Sequence, residues 1–373
     1  MGFIFDYLAW RGDLTLRQSP FNAVDNVILT HLSYLPLSGI VPGPEDSRKN
    51  ISIGAAAKLF GESLNNPSPG FERHLLFRDD PALFEALGSS RRYSSMELTG
   101  FTNQLDPAEG KQFAALTILT GDKHIFVAYR GTDNTLTGWK EDFNMAFSDE
   151  VPSQLEAVKY LEIMANRFKK PLRAGGHSKG GNLAVYAASF CSKSVRKRIK
   201  EIYINDAPGF SNKVIAYEGY QAIRGKIISF IPENSVVGML FKHDYDDTVI
   251  KSSKNGILQH DVYSWEVMGN DLVRLEGINR ESRFIDQTVK EWLASLNKEQ
   301  FKEFTEALFV VLGSTEVNSL LELGTGWLKN VISMIQSFHG IDKHSKDMLL
   351  KTLRSLAHAA RKNIRILIPN DNS

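Results

Sequence analysis

Residues 176–180 read Gly-His-Ser-Lys-Gly, a G-x-S-x-G sequence inside AGGHSKGGNLAVYAASF (174–190). A serine hydroxyl acts as a nucleophile when a very tight strand-to-helix turn lifts it above a sheet. Such a turn needs small flanking residues, because larger ones collide with adjacent backbone. Gly176 and Gly180 are small and frame His177, Ser178 and Lys179, which makes this stretch a candidate nucleophile elbow. Leu183, Ala184, Ala187, Ala188 and Phe190 then suit a buried helix, whose N-terminus would stabilise charge developing beside Ser178. The preceding PLRAGGH is poor in β-branched residues and does not announce a strand, so a glycine-rich loop opening a helix is the competing reading.

Two further segments fit acyl transfer. HIFVAYRGTDN (124–134) ends an apolar run in Arg-Gly-Thr. There a backbone amide near Thr132, and its hydroxyl, could point at a developing oxyanion together with the amide of Lys179. Downstream, LQHDVYSWEV (258–267) places His260 after the strand-forming segments, in the chain order nucleophile, acid, base. His177, inside the turn itself, suits a packed or hydrogen-bonded neighbour better than a base.

These groups need elements to hold them. QFAALTILT, the turn GDK and HIFVAYRGT read as two strands, SQLEAVKYLEIMANRF as a periodic helix, and EIYIN and GKIISFI as further strands. That alternation predicts a largely parallel sheet flanked by helices. Ser153 and Glu156 are spaced as a capping box for the long helix, with Leu155, Val158, Leu161, Ala165 and Phe168 on its buried face. Leu136, Trp139, Phe143 and Phe147 form an apolar stripe, either core or a substrate-facing lid. Beyond about residue 280 the pattern is helical, with Asn297 and Gln300 spaced to cap one helix and IRILI (364–368) the one strand candidate.

Composition removes other classes. Hydrophobic residues at 42% and charged residues at 23% exclude disorder as the main state. Forty-four Lys and Arg against 43 Asp and Glu leave a net charge of +1, no global field for nucleic acid. The single cysteine, Cys191, lies in an apolar run and can form neither an internal disulfide nor a thiolate zinc cluster. No H-E-x-x-H or dinucleotide fingerprint occurs, so neither metal nor cofactor is expected. Charges in MGFIFDYLAWRGD argue against an export signal, and no apolar run of 18 residues free of charge is present, so a soluble, cytoplasmic protein is expected.

RGTDN with Trp139 and Asp142, GHSKGGNLA, NDAPGF (205–210) and QHDVYSW together resemble the class-three, fungal-type lipases of the α/β-hydrolase fold. They are more similar still to a bacterial lipase-like serine hydrolase family typified by an esterase from a gut metagenome, over about residues 3–270. The resemblance implies an α/β-hydrolase core at 101–275, an N-terminal elaboration packed on it at 1–100 and a helical region at 276–373. It implies an ester-cleaving enzyme with Ser178 as nucleophile, His260 as general base, and Thr132 with Lys179, the latter through its backbone only, as oxyanion donors. In the lipase pattern the triad acid follows the next strand, and counting back from Val237 and Leu240 lands on Ser235, which is no acid. Asp206, at the end of the previous strand, is favoured instead, with Glu233 as the alternative. Asp246 and Asp247, after the HDY turn, are expected in solvent.

The missing acid at position 235 motivates an alternative, a catalytically degenerate descendant that binds a ligand or partner. A third reading comes from Lys343, Lys346, Lys351, Arg354, Arg361, Lys362 and Arg365, interleaved with leucines near the C-terminus. They suit a solvated helix face or, less readily, contact with a membrane surface. The expected partner is a small-molecule ester or acyl substrate, with no nucleic acid. Acyl-chain length and oligomeric state are not written in the chain.

Overall fold

A computed structural model describes residues 2–46, 49–66, 75–133, 135–145, 148–235, 237–238, 240–241, 243–313, 327–338 and 340–367. Eight strands form one sheet in sequential order: β1 (Ile51–Ser52), β2 (Glu97–Asp106), β3 (Lys111–Leu119), β4 (Ile125–Tyr129), β5 (Leu172–His177), β6 (Ile199–Asn205), β7 (Ile227–Pro232) and β8 (Asp247–Ile250). β1 to β4 pair antiparallel and β4 to β8 pair parallel, so the parallel half is the one that carries the elbow. Strand, sharp turn and helix follow one another at Ser178 as in an α/β-hydrolase sheet.

The two-residue period of the strands sorts their side chains into two cores. Phe126, Ala128, Tyr203 and Phe230 face the N-terminal helices α1 (Ile4–Arg11), α2 (Ala23–His31), α3 (Ile53–Asn65) and α4 (Asp80–Ser89). Ile125, Val127, Tyr129, Ile202 and Ile204 face the other way, beneath α6 (Pro152–Phe168) and α7 (Lys179–Phe190). A third cluster joins α5 (Leu136–Asn144) to the C-terminal helices α11 (Arg280–Ala294), α12 (Lys298–Gly313), α13 (Trp327–Ser337) and α14 (Lys343–Asn363). Short helices α8 (Lys193–Arg196), α9 (Asn212–Ile215) and α10 (Glu218–Ile223) fill the crossovers between β5 and β7.

Several local expectations change. PLRAGGH does contain a strand, fully buried, and its glycines answer to packing rather than to β propensity: a Cβ on Gly175 would lie 2.6 Å from the Phe126 ring and 3.0 Å from the Asn26 side chain of α2. Helix α6 begins at Pro152, so its cap is Val151, whose N–H donates to the Gln154 side chain (3.0 Å), and Ser153 lies inside the first turn with its N–H on Glu141 (2.9 Å). Leu161 and Ala165 are buried as expected, with Val158 and Phe168 packed partly buried beside them, but Leu155 is 41% exposed and Ala157, Tyr160 and Met164 complete the buried face. The Asn297 and Gln300 pair caps reciprocally as its spacing predicts. Ile364–Leu367 form a 3-10 turn rather than a strand, continuing α14. Leu136, Trp139 and Phe143 pack into the third cluster, with the Phe143 ring 5.6 Å from that of Phe309, so this part of the stripe is core; Phe147 lies outside the described residues.

Candidate active site

The elbow is as tight as its residue types require. A Cβ on Gly176 would run into the backbone of Gly180, and one on Gly180 into the carbonyl of Tyr129 at the end of β4. Ser178 itself sits at φ +57°, ψ −136°, a conformation that costs a non-glycine residue on the order of 1–3 kcal/mol and persists only where its surroundings enforce it. Two backbone bonds do so: the Ser178 N–H donates to the Asn205 carbonyl (3.0 Å) and its own carbonyl accepts from the Gly181 N–H (3.0 Å). Ser178 caps α7, whose first N–H groups lack carbonyl partners within the helix and so face the turn as donors.

His260 closes a 3-10 turn, Gly256–His260, anchored by its buried neighbour Gln259. The Gln259 side chain accepts from the Asn234 N–H (2.8 Å) and donates to the Lys254 carbonyl (2.7 Å), and its carbonyl accepts from the Trp265 indole (2.7 Å). His260 Nδ1 meets Asp206 Oδ2 at 2.6 Å, and since the carboxylate accepts, Nδ1 carries the proton of the neutral ring and Nε2 is left as the acceptor. Asp206, buried and at φ +49°, directly follows β6 and collects two more donors on Oδ1: the Ser235 hydroxyl (2.5 Å) and the Gly238 N–H (3.0 Å). The structure therefore brings Asp206, and not Glu233, to the histidine. Glu233 is tied through its carbonyl to the Asn279 N–H (3.1 Å) and the Ser282 hydroxyl (2.7 Å) at the start of α11. Ser235, where the lipase pattern expects a carboxylate, instead hydrogen-bonds the carboxylate next door. Asp247 is not in open solvent; it accepts from Ser229 Oγ (2.6 Å) and pairs with His243 Nε2 (2.8 Å), while Asp246 is exposed.

His177 is a buried linker between loops. Its Nε2 meets the His260 carbonyl (2.8 Å), and since a carbonyl only accepts, Nε2 carries the proton and Nδ1 accepts from the Tyr34 hydroxyl (2.9 Å). Tyr34 accepts in turn from the Gly131 N–H (3.1 Å). Burial, reinforced by the nearby His260 and His31, holds His177 far below the ordinary histidine range, so it stays neutral. Tyr34, in the N-terminal stretch HLSYLPL, gave no sequence signal: its role arises from a contact spanning 143 residues of chain.

Just past the end of β4, Gly131 lies against Ser178, since a Cβ there would be 2.8 Å from that of Ser178. The Thr132 hydroxyl donates to Asp142 Oδ2 (2.5 Å), so its proton is aimed at α5 and the backbone amides of Thr132 and Lys179 remain as donors for an oxyanion. Burial pushes Asp142 up to about 6, against the opposing pull of Lys179. The Lys179 side chain turns away from the turn into the protein, where its three N–H groups find three acceptors: the Gln112 carbonyl (3.0 Å), the Gln112 side-chain oxygen (2.8 Å) and Glu141 (2.9 Å). Buried Glu141 also takes the Gln112 and Ser153 N–H groups (3.1 and 2.9 Å). Helix α5 thus has two faces: an apolar one in the C-terminal cluster, and one whose adjacent carboxylates hold Lys179 and Thr132. The pairing of Lys179 with Glu141 across 38 residues was likewise invisible to local pattern.

Among the described residues no group of three or more His, Cys, Asp or Glu side chains is placed to hold a metal ion, and no helix is long and apolar enough to cross a membrane.

A family model described as Mbeg1-like matches residues 87–310. No curated protein matches the chain. Among solved structures, a lipase–propeptide complex of Rhizomucor miehei is similar at 14% identity and a TM-score of 0.36, over 61% of this chain and 67% of that one. The Lip2 lipase of Yarrowia lipolytica is similar at 14% identity and a TM-score of 0.34, over 60% of this chain and 98% of that one. M37 lipase is similar at 14% identity and a TM-score of 0.33, over 58% of this chain and 68% of that one.

Proposed function

The chain belongs to the Mbeg1-like family, and from that premise and the geometry of its site we propose that it is a serine hydrolase cleaving carboxylic esters through an acyl-enzyme on Ser178. The observation that carries the reading is the 2.6 Å contact between His260 Nδ1 and Asp206, with the His260 ring 4.3 Å from that of His177, the residue before a serine held at positive φ on an elbow.

In this reading His260 Nε2 takes the Ser178 proton as Oγ attacks the ester carbonyl. Asp206 fixes the imidazole tautomer and offsets the charge the ring acquires. The amides of Thr132 and Lys179, with the N-terminus of α7, stabilise the tetrahedral oxyanion. His260 then protonates the leaving alcohol, and a water activated by the same ring releases the acyl group. The three donors on Asp206 count against the catalytically degenerate alternative, because the carboxylate absent at Ser235 is supplied from one strand away. Buried, unpaired Cys191 suits a reducing compartment such as the cytoplasm.

The test is turnover of short-chain nitrophenyl esters by purified full-length protein. Wild type should hydrolyse them, and Ser178→Ala, which removes one oxygen and leaves the elbow in place, should fall to background. Undiminished turnover by Ser178→Ala would falsify the assignment.

A further inference from the structure

The cationic residues of the C-terminal helix separate once the packing of α14 is known. Leu349, Thr352, Leu353, Ala359 and Asn363 are buried against the rest of the helical cluster. Lys343, Lys351, Arg354, Arg361 and Lys362 are exposed, as is Arg365 in the following turn. At 100° per residue the exposed cations fall within an arc of roughly 100°, opposite the buried face, over ~27 Å of helix. Lys362 is engaged by Glu291 (3.1 Å). Among the described residues Lys343, Lys351, Arg354, Arg361 and Arg365 form no ion pair, and Asp347 is the one carboxylate on that arc. In a chain whose net charge is only +1 this is a local concentration rather than a global excess. Exposed Ile364 and Leu367 follow the helix but lie off this arc, Ile364 by about 60° from its edge.

We propose that this face of α14 docks the protein on an anionic lipid bilayer, the cations meeting lipid phosphates. A line of basic side chains confined to one arc of a convex helix matches a plane of negative charge. Helix α14 carries no Phe, Tyr or Trp on which a base could stack, but exposed His344 and His358 share the arc, so nucleic acid is the competing ligand that the test must exclude. The inference is independent of the hydrolase reading, since it uses no residue of the site.

The experiment is co-sedimentation of the full chain with vesicles of equal parts phosphatidylglycerol and phosphatidylcholine, with phosphatidylcholine vesicles and a mixed-sequence DNA duplex as parallel arms. Wild type should bind the anionic vesicles and not the neutral ones, and should dissociate as ionic strength approaches about 1 M, where the screening length drops to ~3 Å. At about fivefold per cation near the surface, the combined Lys351→Glu, Arg354→Glu and Arg361→Glu variant should bind at least ~100-fold more weakly. Should its circular dichroism differ from wild type, Arg354→Gln with Arg361→Gln carries the test, with a loss of ~10-fold or more. Ile364→Ser with Leu367→Ser, off the arc, should bind as wild type. Absence of vesicle binding by wild type, full binding by the charge variants, or tighter binding to the duplex than to the vesicles would each overturn the proposal.

Discussion

Two histidine–aspartate pairs flank His177, whose ring centroid lies 4.3 Å from that of His260 and 6.1 Å from that of His31, and they behave as opposites. His260 and Asp206 meet at 2.6 Å, with Ser235 and Gly238 completing three donors around the carboxylate. His31, on α2, stands 3.8 Å from Asp80, the first residue of α4, and both are buried. There the Tyr263 hydroxyl donates to Asp80 Oδ1 (2.7 Å), while Asp80 Oδ2 and both ring nitrogens of His31 have no partner among the described residues. Burial pushes Asp80 up to about 8 and His31 down to about 3, so at neutral pH the second pair is held uncharged. Residue type and proximity are common to both pairs. What differs is the number of hydrogen bonds prepared for a negative charge, and that number separates a pair able to steady an imidazolium from one that only fills space.

Breaking each pair in turn should expose the difference. The largest effect is expected from Asp206→Asn, which keeps shape but loses charge and tautomer control: kcat on a short-chain ester should fall by about 10⁴-fold, whereas Asp80→Asn should leave kcat within about twofold. Stability should respond the other way. Because folded Asp80 titrates near 8 against an ordinary 3.8, the native state binds the extra proton between those values, and unfolding free energy should decline as pH rises through that window and level off above it. Asp80→Asn should flatten this slope, removing a variation on the order of 2–5 kcal/mol in denaturant titrations across pH. A smaller loss is expected from Ser235→Ala, which removes one of the three donors on Asp206: about tenfold in kcat, with KM little changed. Glu233→Gln, at the alternative acid position, should change kcat by less than about twofold; a large loss there would move the acid to β7 and dissolve the contrast between the pairs.

How much of this was legible depended on the range of the interaction. The elbow was readable because its small residues stand at a fixed short spacing around Ser178, and Gly176 is forced by Gly180 four residues on, although Gly180 itself answers to Tyr129 at the distant end of β4. Strands β3 and β4 and the cap of α12 were readable for the same reason, their period and spacing being local. β5 was not, because its glycines answer to α2 and α7 approaching from opposite faces of the sheet, and propensity carries no trace of that. The cap of α6 slipped because Glu141, twelve residues upstream, claims the Ser153 N–H and frees Val151 and Gln154 to begin the helix. Leu155 was assigned to the core by its type, and only packing shows Ala157 and Tyr160 in that place. In the site, Ser178, His260 and Asp206 could be named from motif and resemblance. The supports could not: Tyr34, Gln259 and Glu141 reach their partners across long stretches of chain, and Ser235 reads as a missing acid until its hydroxyl is seen on Asp206.

The most direct test of the account is covalent labelling with a fluorophosphonate, followed by peptide mass mapping. An activated serine is predicted to take up one phosphonyl group per chain, on the peptide containing Ser178, with labelling slowed strongly in Asp206→Asn and unchanged in Asp80→Asn. Folded wild-type protein that takes up no label, or takes it up at a different residue, would contradict it.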